Sequence, residues 1–242
     1  MKKFYVLGSN ISYSLSPKIF AELFRVFGDN AQYSIMDIRS DELFRIKDIA
    51  LSCDGFNVTK PFKTEILRYL SIDKSECGSV NTVTTQNMTG YSTDGDGFLF
   101  DLERNFSGAS SSKVLVLGYG GAAKAVVNAL KKSGACVAVT GRNECKANEF
   151  ALANGVLTYD DSFKPIGVVS CTSETFVPRL KDKVDFCYDL RYAGDTLSLD
   201  APSANGLGML IAQAIYAYRI FMDKQIDNDE IKELYFKIRE KL

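Results

Sequence analysis

The sequence predicts an α/β protein with two domains, one of which binds a dinucleotide. Short apolar runs alternate with amphipathic helical patterns, which is typical of sheets that are mostly parallel. A glycine-rich turn joins an apolar strand to a helix within residues 113–132. Two further helices, at about 205–222 and 228–241, exceed what a dinucleotide domain needs. We expect them to return and cover the sheet of the first domain.

Composition and charge exclude several classes of protein. The 242 residues are 46% hydrophobic and 24% charged, with a net charge of −1. Without a basic stripe or an acidic tail, we expect neither nucleic acid nor a membrane surface as a partner. No apolar run approaches the ~20 residues of a membrane span, and the apolar stretch at the N-terminus is too short for a signal peptide. We therefore expect a cytoplasmic protein.

The cysteine and histidine content limits the catalytic mechanisms that are available to the chain. The six cysteines show no C-x-x-C spacing, which argues against a disulfide framework or a structural zinc site, and the chain has no histidine. The lack of histidine excludes Ser-His-Asp and Cys-His nucleophilic chemistry and H-E-x-x-H zinc sites. We predict no metal site, and acid–base work falls to Lys, Tyr, Asp, Glu or Cys.

The first half of the chain reads as alternating strands and helices. The patterns predict, in chain order, a strand before Gly8, a helix from Pro17 that ends at Gly28, a strand at 32–37, a helix at 41–51 and a strand at 55–58. Ser16 is the predicted N-cap of the helix at Pro17. Ser14 has no capping role that we can assign. Since a helix N-terminus with two free hydroxyls also suits a carboxylate, capping and carboxylate binding both stay open.

Residues 57–63 (N-V-T-K-P-F-K) leave a buried strand and are predicted to enter a helix at Pro61. Lys63 then falls in the first helical turn, where a cation is misplaced because the helix N-terminus already carries partial positive charge. Asn57 and Thr59 lie on the strand side of the same turn. Lys63 is either a functional residue or a surface lysine beside a turn.

Asp94 follows a predicted hairpin with its strand at 83–85 and its turn at 87–90. A calcium loop at Asp94 and Asp96 is excluded, because Phe98 and Phe100 stand where further oxygen ligands are needed. Asp94 can equally be a turn residue that caps a helix at 98–105. The polar, serine-rich residues 106–112 are the best linker candidate.

The strand Lys113–Leu117 runs into residues 118–124 (G-Y-G-G-A-A-K) and then a helix. This is the dinucleotide fingerprint G-x-G-x-x-A in its strand–turn–helix context. Gly118 permits the tight turn, Gly120 lets the backbone approach a pyrophosphate, and Ala123 is small enough for the helix to pack on the strand. The sequence therefore predicts a Rossmann-type nucleotide site.

The end of the second strand, Cys136–Thr140, indicates which nucleotide binds. An NAD site would place Asp or Glu there to hold the ribose 2′-hydroxyl. Here Arg142 is positioned to clamp a 2′-phosphate, and Lys146 lies one helical turn further on. NADP is favoured over NAD, with a solvated basic pair as the alternative. A helix at 146–153 and strands at 166–170 and 184–189 continue the domain.

With these segments in order, the sequence resembles shikimate dehydrogenase over essentially its whole length. The matching blocks are residues 14–17, 57–63, 80–82, 93–95, 118–123 and 206–210. The resemblance implies NADPH-dependent, reversible reduction of 3-dehydroshikimate to shikimate, in aromatic amino acid biosynthesis. It also implies two α/β domains with a cleft between them. Residues 1–94 with 206–242 would form the substrate-binding and catalytic domain, and 95–205 the Rossmann-type NADP domain.

The resemblance also implies roles for individual residues. Lys63 and Asp94 would be the catalytic pair, with Lys63 supplying a proton to the ketone oxygen. The substrate carboxylate would be held by Ser14, Ser16, Thr59 and Tyr192, and the ring hydroxyls by Asn57, Asn81, Asp94 and Gln213. The implied cofactor-binding residues are Gly118, Gly120, Gly121, Ala122, Ala123, Arg142, Lys146, Thr172, Gly206 and Met209, the last two lining the nicotinamide.

The chain departs from the family pattern at a few positions. Tyr13 stands where the family often has histidine, Ser92 and Ser170 where it usually has asparagine, and Gly141 where asparagine is common. Two other functions stay open: an NAD-dependent quinate/shikimate dehydrogenase, and a catalytically silent NADP-sensing relative. The sequence leaves the choice between a monomer and a homodimer open.

Overall fold

The computed structural model describes residues 1–174 and 176–242, which form two compact units. The first unit comprises Met1–Asp94 and Leu210–Leu242, and the second comprises Gly95–Met209. Each unit combines one six-stranded sheet with helices. The α/β class predicted from the sequence is confirmed.

The first unit carries a mixed sheet. Its strands are β1 (Lys2–Gly8), β2 (Ala31–Asp37), β3 (Gly55–Val58), β4 (Ile72–Asp73), β5 (Thr82–Thr84) and β6 (Thr89–Tyr91), in the order β2-β1-β3-β5-β6-β4. Its helices are α1 (Ser16–Phe27), α2 (Ile46–Leu51), most of α6 (Leu207–Met222) and α7 (Asn228–Arg239). The pairs β1–β2, β1–β3 and β4–β6 are parallel, whereas β5 runs antiparallel to both β3 and β6.

Helix α1 follows from its apolar spacing, with Ile19, Phe20, Leu23 and Phe24 buried on one face. Gly28 ends it as predicted, in the left-handed conformation, with its N–H bonded to the carbonyl of Phe24. The predicted cap is one residue off. Leu15 occupies the N-cap position and makes no side-chain cap bond, and Ser16 is the first helical residue.

Most of α6 and all of α7 belong to the first unit, as predicted, and α6 packs against its sheet. Phe221 of α6 is buried and stacks on Phe4 of β1 with ring centroids 4.7 Å apart. A Cβ at Gly55 of β3 would lie 2.8 Å from the ring of Phe221. Glycine at this position therefore lets an aromatic side chain lie flat on the sheet.

The helix predicted from Pro61 is wrong. Residues 60–64 form turns, and only a short 3-10 helix, Glu65–Tyr69, follows. Phe62 and Ile66 are the apolar side chains that this segment buries fully, and one turn is enough to bury both. Lys63 therefore does not lie at the N-terminus of an α-helix, and the argument from the helix dipole does not apply to it.

Other predicted boundaries also move. The helix expected at 41–51 is a 3-10 helix, Ser40–Arg45, followed by α2. Helix α3 (Asp94–Asn105) starts four residues earlier than expected, so Asp94 is its first residue. The linker candidate at 106–112 contains a 3-10 helix, Ala109–Ser111, and lies inside the second unit.

The second unit carries a sheet whose pairings are all parallel. Its strands are β7 (Lys113–Leu117), β8 (Cys136–Thr140), β9 (Leu157–Thr158), β10 (Gly167–Ser170), β11 (Phe186–Asp189) and β12 (Ser203–Asn205). Its helices are α3 from Gly95 onward, α4 (Gly121–Lys132) and α5 (Glu144–Asn154).

The order of this sheet is β9-β8-β7-β10-β11-β12, with the first strand at the centre. This is the doubly wound order of dinucleotide-binding domains, whose ligands lie at the carboxyl ends of the strands where the winding reverses. That point lies between β7 and β10. The central strand is buried on both faces: Val114, Leu115, Val116 and Leu117 are all fully inaccessible to solvent.

Within the described residues, no helix is both long enough and apolar enough to cross a bilayer.

We predict that Phe221→Ala destabilises the protein by about 3–5 kcal/mol, because it removes a fully packed aromatic side chain between α6 and the first sheet. Phe236 of α7 is half exposed and provides the matched control. Phe236→Ala should cost less than about 1 kcal/mol, as most substitutions of exposed residues do. Urea unfolding followed by circular dichroism measures both values. Equal losses in the two variants would contradict this packing arrangement.

Candidate active site

The loops that carry the predicted site leave neighbouring strands of the first sheet at one edge. Strands β1 and β3 are parallel, with Leu7 opposite Val58, so their carboxyl ends coincide. A Cβ at Gly8 would lie 2.5 Å from Cγ2 of Thr59. Glycine at position 8 therefore lets the Thr59 side chain pack against the end of β1. The loop that leads to Ser14 begins at this point.

Ser14 and Ser16 form a hydroxyl pair at the start of α1. The two Oγ atoms are 3.2 Å apart, and Ser14 Oγ also accepts the backbone N–H of Ser16 at 3.3 Å. Ser14 thus has the local partner that sequence reasoning did not assign. The loop before it is tied down by Asp37, whose carboxylate accepts the backbone N–H groups of Asn10 (2.8 Å) and Ile11 (2.9 Å).

Lys63 and Asp94 form a close ion pair. Lys63 Nζ lies 2.5 Å from Asp94 Oδ2, with the lysine side chain 17% and the aspartate side chain 5% exposed. Residues 60–64 are held beside the β5 strand because the carbonyl of Lys63 accepts the N–H of Val80 at 2.8 Å. An ammonium held by a carboxylate at the margin of the core has the chemistry to donate a proton to a ligand beside it.

The side chain of Asn81 fixes the position of Asp94. Its Nδ2 lies 2.9 Å from Asp94 Oδ1, 2.9 Å from Thr93 Oγ1 and 3.1 Å from Gln213 Oε1. Its Oδ1 accepts the backbone N–H of Thr93 at 2.8 Å and the hydroxyl of Thr82 at 3.1 Å. All five residues are buried, so this network is shielded from water and holds one arrangement.

Gln213 joins the network from α6. Thr93 Oγ1 donates to the carbonyl of Gln213 at 3.0 Å, and Gln213 Nε2 donates to the carbonyl of Leu210 at 2.8 Å. Asn57 joins it from β3, since its Nδ2 donates to the carbonyl of Asn81 (2.9 Å) and to Thr82 Oγ1 (3.0 Å). We call the connected residues the amide network; they are Asn57, Asn81, Thr82, Thr93, Asp94 and Gln213.

The structure thus connects most of the predicted substrate residues within the first unit. Lys63, Asp94, Asn57, Asn81 and Gln213 are linked through hydrogen bonds, and Ser14 bonds Ser16 at the start of α1. Thr82 and Thr93 lie in the matching blocks 80–82 and 93–95, but sequence reasoning gave neither a role, because the sequence does not show which side chain each hydroxyl bonds.

Tyr192, the remaining predicted substrate residue, belongs to the second unit and is partly buried. The segment that carries it is ordered by Asp189. The buried carboxylate of Asp189 accepts the backbone N–H of Leu197 at 2.5 Å and pairs with Arg191 at 2.6 Å. The hydrogen bonds that Arg191 donates to the Asp189 carboxylate raise the pKa of Arg191.

Two cysteines, the partly buried Cys53 and the buried Cys187, are poorly suited to act as thiolates. Burial raises the pKa of the Cys53 thiol to about 11, and burial also raises the pKa of Cys187. Both thiols are therefore protonated at neutral pH and are poor nucleophiles.

The glycine-rich turn lies where the winding of the second sheet reverses. Gly118 follows β7 with a φ of 110°, which only glycine adopts readily. A Cβ there would lie 3.2 Å from Cγ2 of Thr172 and 3.3 Å from the carbonyl of Cys171, both of which follow β10. The predicted cofactor residues Gly118 and Thr172 are therefore neighbours at this point.

The start of α4 fits a pyrophosphate. Gly120 stands at the N-cap of α4 in an extended conformation, and a Cβ there would meet no protein atom within 4 Å. The packing of the protein would therefore allow a side chain at position 120. Glycine there leaves open space beside the N-terminus of α4. The first intrahelical bond runs from the N–H of Lys124 to the carbonyl of Gly120. This leaves the N–H groups of Gly121, Ala122 and Ala123 for an anion.

Ala123 is fully buried and lies in one core cluster with Val116, which agrees with the need for a small residue where α4 packs on β7. Gly206 is also set by packing, because a Cβ there would lie 1.9 Å from the carbonyl oxygen of Leu190. Met209 is 7% exposed and belongs to the same core cluster. The Met209 side chain therefore serves mainly to fill the core of the second unit.

Arg142 follows β8 and pairs with the carboxylate of Glu174. Both side chains are mostly exposed, at 63% and 67%. Asn143 caps α5 by accepting the N–H of Lys146 at 2.9 Å, and this sets the exposed Lys146 in the first turn of that helix. The guanidinium is accessible to a ligand phosphate, but Glu174 competes for it. Sequence reasoning missed Glu174, which is 32 residues away and part of no motif.

Comparison with known proteins shows that the chain is similar in sequence to shikimate dehydrogenases. A sequence model of the shikimate dehydrogenase substrate binding domain matches residues 6–83. The chain is 32% identical to the shikimate dehydrogenase (NADP(+)) of Caldanaerobacter subterraneus subsp. tengcongensis, over 98% of this chain and 96% of the relative. It is 35% identical to that of Aquifex aeolicus, over 89% of each chain.

Solved structures of shikimate dehydrogenases are also similar to this chain. The crystal structure of shikimate dehydrogenase from Aquifex aeolicus covers 97% of both chains with a TM-score of 0.84 and 30% identity. The structure of shikimate 5-dehydrogenase from Thermus thermophilus in complex with NADP(H) and shikimate covers 98% of this chain and 100% of the other. Its TM-score is 0.85 and its identity 28%.

We predict opposite effects of two substitutions on the affinity for NADPH. Arg142→Ala should raise the Kd about 10- to 150-fold, since hydrogen bonds to charged groups contribute about 1.5–3 kcal/mol. Glu174→Gln should lower the Kd by up to about fivefold, the limit for releasing an exposed ion pair. Fluorescence titration with NADPH measures both, and titration with NADH, which lacks the 2′-phosphate, is the control.

Neither substitution should change the Kd for NADH by more than about twofold, because an exposed side chain away from the shared part of the ligand contributes little. If Arg142→Ala weakened NADPH and NADH equally, the guanidinium would not be the 2′-phosphate site.

Proposed function

The chain belongs to the shikimate dehydrogenase family, and we propose that Lys63 and Asp94 are the acid–base pair with which it reduces 3-dehydroshikimate reversibly to shikimate at the expense of NADPH. It is an NADP-dependent oxidoreductase that acts on a CH–OH group, as its relatives named shikimate dehydrogenase (NADP(+)) are. The observation that supports the roles of these two residues is their 2.5 Å ion pair, anchored by the amide network.

In this proposal the first unit binds the substrate. The hydroxyls of Ser14, Ser16 and Thr59 hold the carboxylate. This site offers hydrogen-bond donors without a cation, so it binds the carboxylate less tightly than an arginine would. The polar side chains of Asn57, Asn81, Asp94 and Gln213 hold the ring hydroxyls.

The second unit binds NADP(H). The N–H groups at the start of α4 hold the pyrophosphate, Arg142 and Lys146 hold the 2′-phosphate, and Thr172, Gly206 and Met209 complete the site. When bound, NADPH supplies the hydride that reduces the ketone carbon.

The protein supplies the proton that balances the hydride. As the ketone carbon gains the hydride, its oxygen gains negative charge, and the ammonium of Lys63 transfers a proton to that oxygen to complete the alcohol. Asp94 accepts from Lys63 through Oδ2 and from Asn81 through Oδ1, so it orients the ammonium and leaves few alternative positions for it. In the reverse direction the neutral amine accepts the hydroxyl proton.

We further propose that the protein acts in the cytoplasm as a monomer or a homodimer, within aromatic amino acid biosynthesis. The two competing functions have less support. The named relatives use NADP(+), which disfavours an NAD-dependent quinate/shikimate dehydrogenase. A silent NADP sensor would have no need of the intact Lys63–Asp94 pair.

We predict that Lys63→Ala lowers kcat for 3-dehydroshikimate about 10²- to 10⁴-fold, because general acid catalysis typically contributes that much. Loss of NADPH absorbance on adding 3-dehydroshikimate measures kcat. Lys60→Ala is the matched control, since Lys60 is an exposed lysine of the same turn whose ammonium lies 5.4 Å above the ring of Tyr13.

The Lys60→Ala variant should keep kcat within about threefold, since exposed cation–aromatic contacts contribute only about 0.5–1 kcal/mol. Both variants should bind NADPH as the wild type does. A wild-type protein that binds NADPH and yet fails to turn over 3-dehydroshikimate would refute the enzymatic function and leave the sensor.

A further inference from the structure

Tyr33 of β2 places a buried hydroxyl against a predicted substrate residue. Its OH donates to Asn57 Oδ1 at 2.7 Å, and both residues are buried. The ring stacks on Phe20 of α1, with centroids 4.0 Å apart and planes 6° from parallel. Burial raises the pKa of Tyr33 well above its ordinary value, so the hydroxyl keeps its proton and remains a donor.

The hydrogen bonds of Asn57 leave few options for a ligand. Its two N–H groups are both used, one on the carbonyl of Asn81 and one on Thr82 Oγ1. The hydroxyl of Thr82 donates in turn to Asn81 Oδ1, so Thr82 can only accept from Asn57. Asn57 Oδ1 has two acceptor positions, and Tyr33 takes one of them. One acceptor position remains, so Asn57 can accept a hydrogen bond from a ligand but has no N–H left to donate.

We propose that Tyr33 is a positioning residue, which holds Asn57 so that the remaining lone pair of Oδ1 accepts a hydrogen bond from a ring hydroxyl of the substrate. The inference rests on the proposed function, because it takes Asn57 to be a substrate ligand. It goes further in assigning the polarity of the contact: Asn57 selects a hydroxyl that donates, and a carbonyl oxygen at the same place would face a second acceptor.

The hydroxyl of Tyr33 can be removed without disturbing the packing of its ring. Phenylalanine keeps the stack on Phe20, so Tyr33→Phe deletes only the bond to Asn57. Asn57 then loses one of its three anchors. We expect a change in substrate affinity, while the Lys63–Asp94 pair and the NADP site stay intact.

The test compares the steady-state kinetics of Tyr33→Phe with those of a matched control. Tyr33→Phe should raise KM for shikimate about 3- to 10-fold, within the range for one hydrogen bond, and change kcat and KM for NADP⁺ by less than about twofold. Tyr218→Phe is the control. It also deletes a hydroxyl that is hydrogen-bonded in the first unit, where Tyr218 bonds Asp29 and Lys224.

Tyr218→Phe should leave all three constants unchanged. In an Asn57→Ala background, Tyr33→Phe should have no further effect on KM, because Tyr33 acts through Asn57. An unchanged KM in Tyr33→Phe would overturn the proposal. An equal rise in KM with Tyr218→Phe, or a full additional loss in the Asn57→Ala background, would overturn it as well.

Isothermal titration of shikimate into the wild-type protein distinguishes a failure of the proposed function from a failure of the role of Tyr33. Wild-type protein that neither binds nor oxidises shikimate refutes the proposed function, and the role of Tyr33 falls with it. Wild-type protein that does both, with a Tyr33→Phe variant that matches it, refutes only the role of Tyr33.

Discussion

The position of Asp94 depends on a buried side-chain amide. Asn81 contacts Asp94, Thr93 and Gln213 through Nδ2, and its backbone carbonyl accepts from Asn57 and from the backbone of Val58. A carboxylate at 5% exposure would be strongly destabilising without such partners. With them it becomes a fixed acceptor for the ammonium of Lys63. The amide network therefore both stabilises the buried charge and sets the geometry of the Lys63–Asp94 ion pair.

The two units present different groups for binding a ligand. The first unit presents side-chain hydroxyls, amides and one ion pair, which suits a small polar acid with several hydroxyl groups. The second presents backbone N–H groups at the start of α4 and an exposed arginine, which suits phosphates. Because Glu174 already pairs with that arginine, a phosphate that binds there has to displace an internal carboxylate.

Much of this arrangement could be predicted from the sequence. The strands β3, β7 and β8, the glycine-rich turn and the pairing of Lys63 with Asp94 each have a local pattern or a family motif. The turns at 60–64 were misread as a helix, because proline is favoured both at the first position of a helix and in turns. Tyr33, Thr82 and Glu174 could not be predicted as partners. Their contacts lie 24, 25 and 32 residues away in the chain, and only the fold brings them together.

In the proposed mechanism, Lys63 and Asp94 act as one catalytic unit. The most direct test is a double-mutant cycle on kcat for 3-dehydroshikimate, with Lys63→Ala, Asp94→Ala and the double variant compared in folded, NADPH-binding protein. If the pair acts as a unit, the double variant loses little more than the worse of the two single variants. If the losses multiply, so that the double variant falls by the product of the single effects, the two residues act independently and the proposed catalytic unit is wrong.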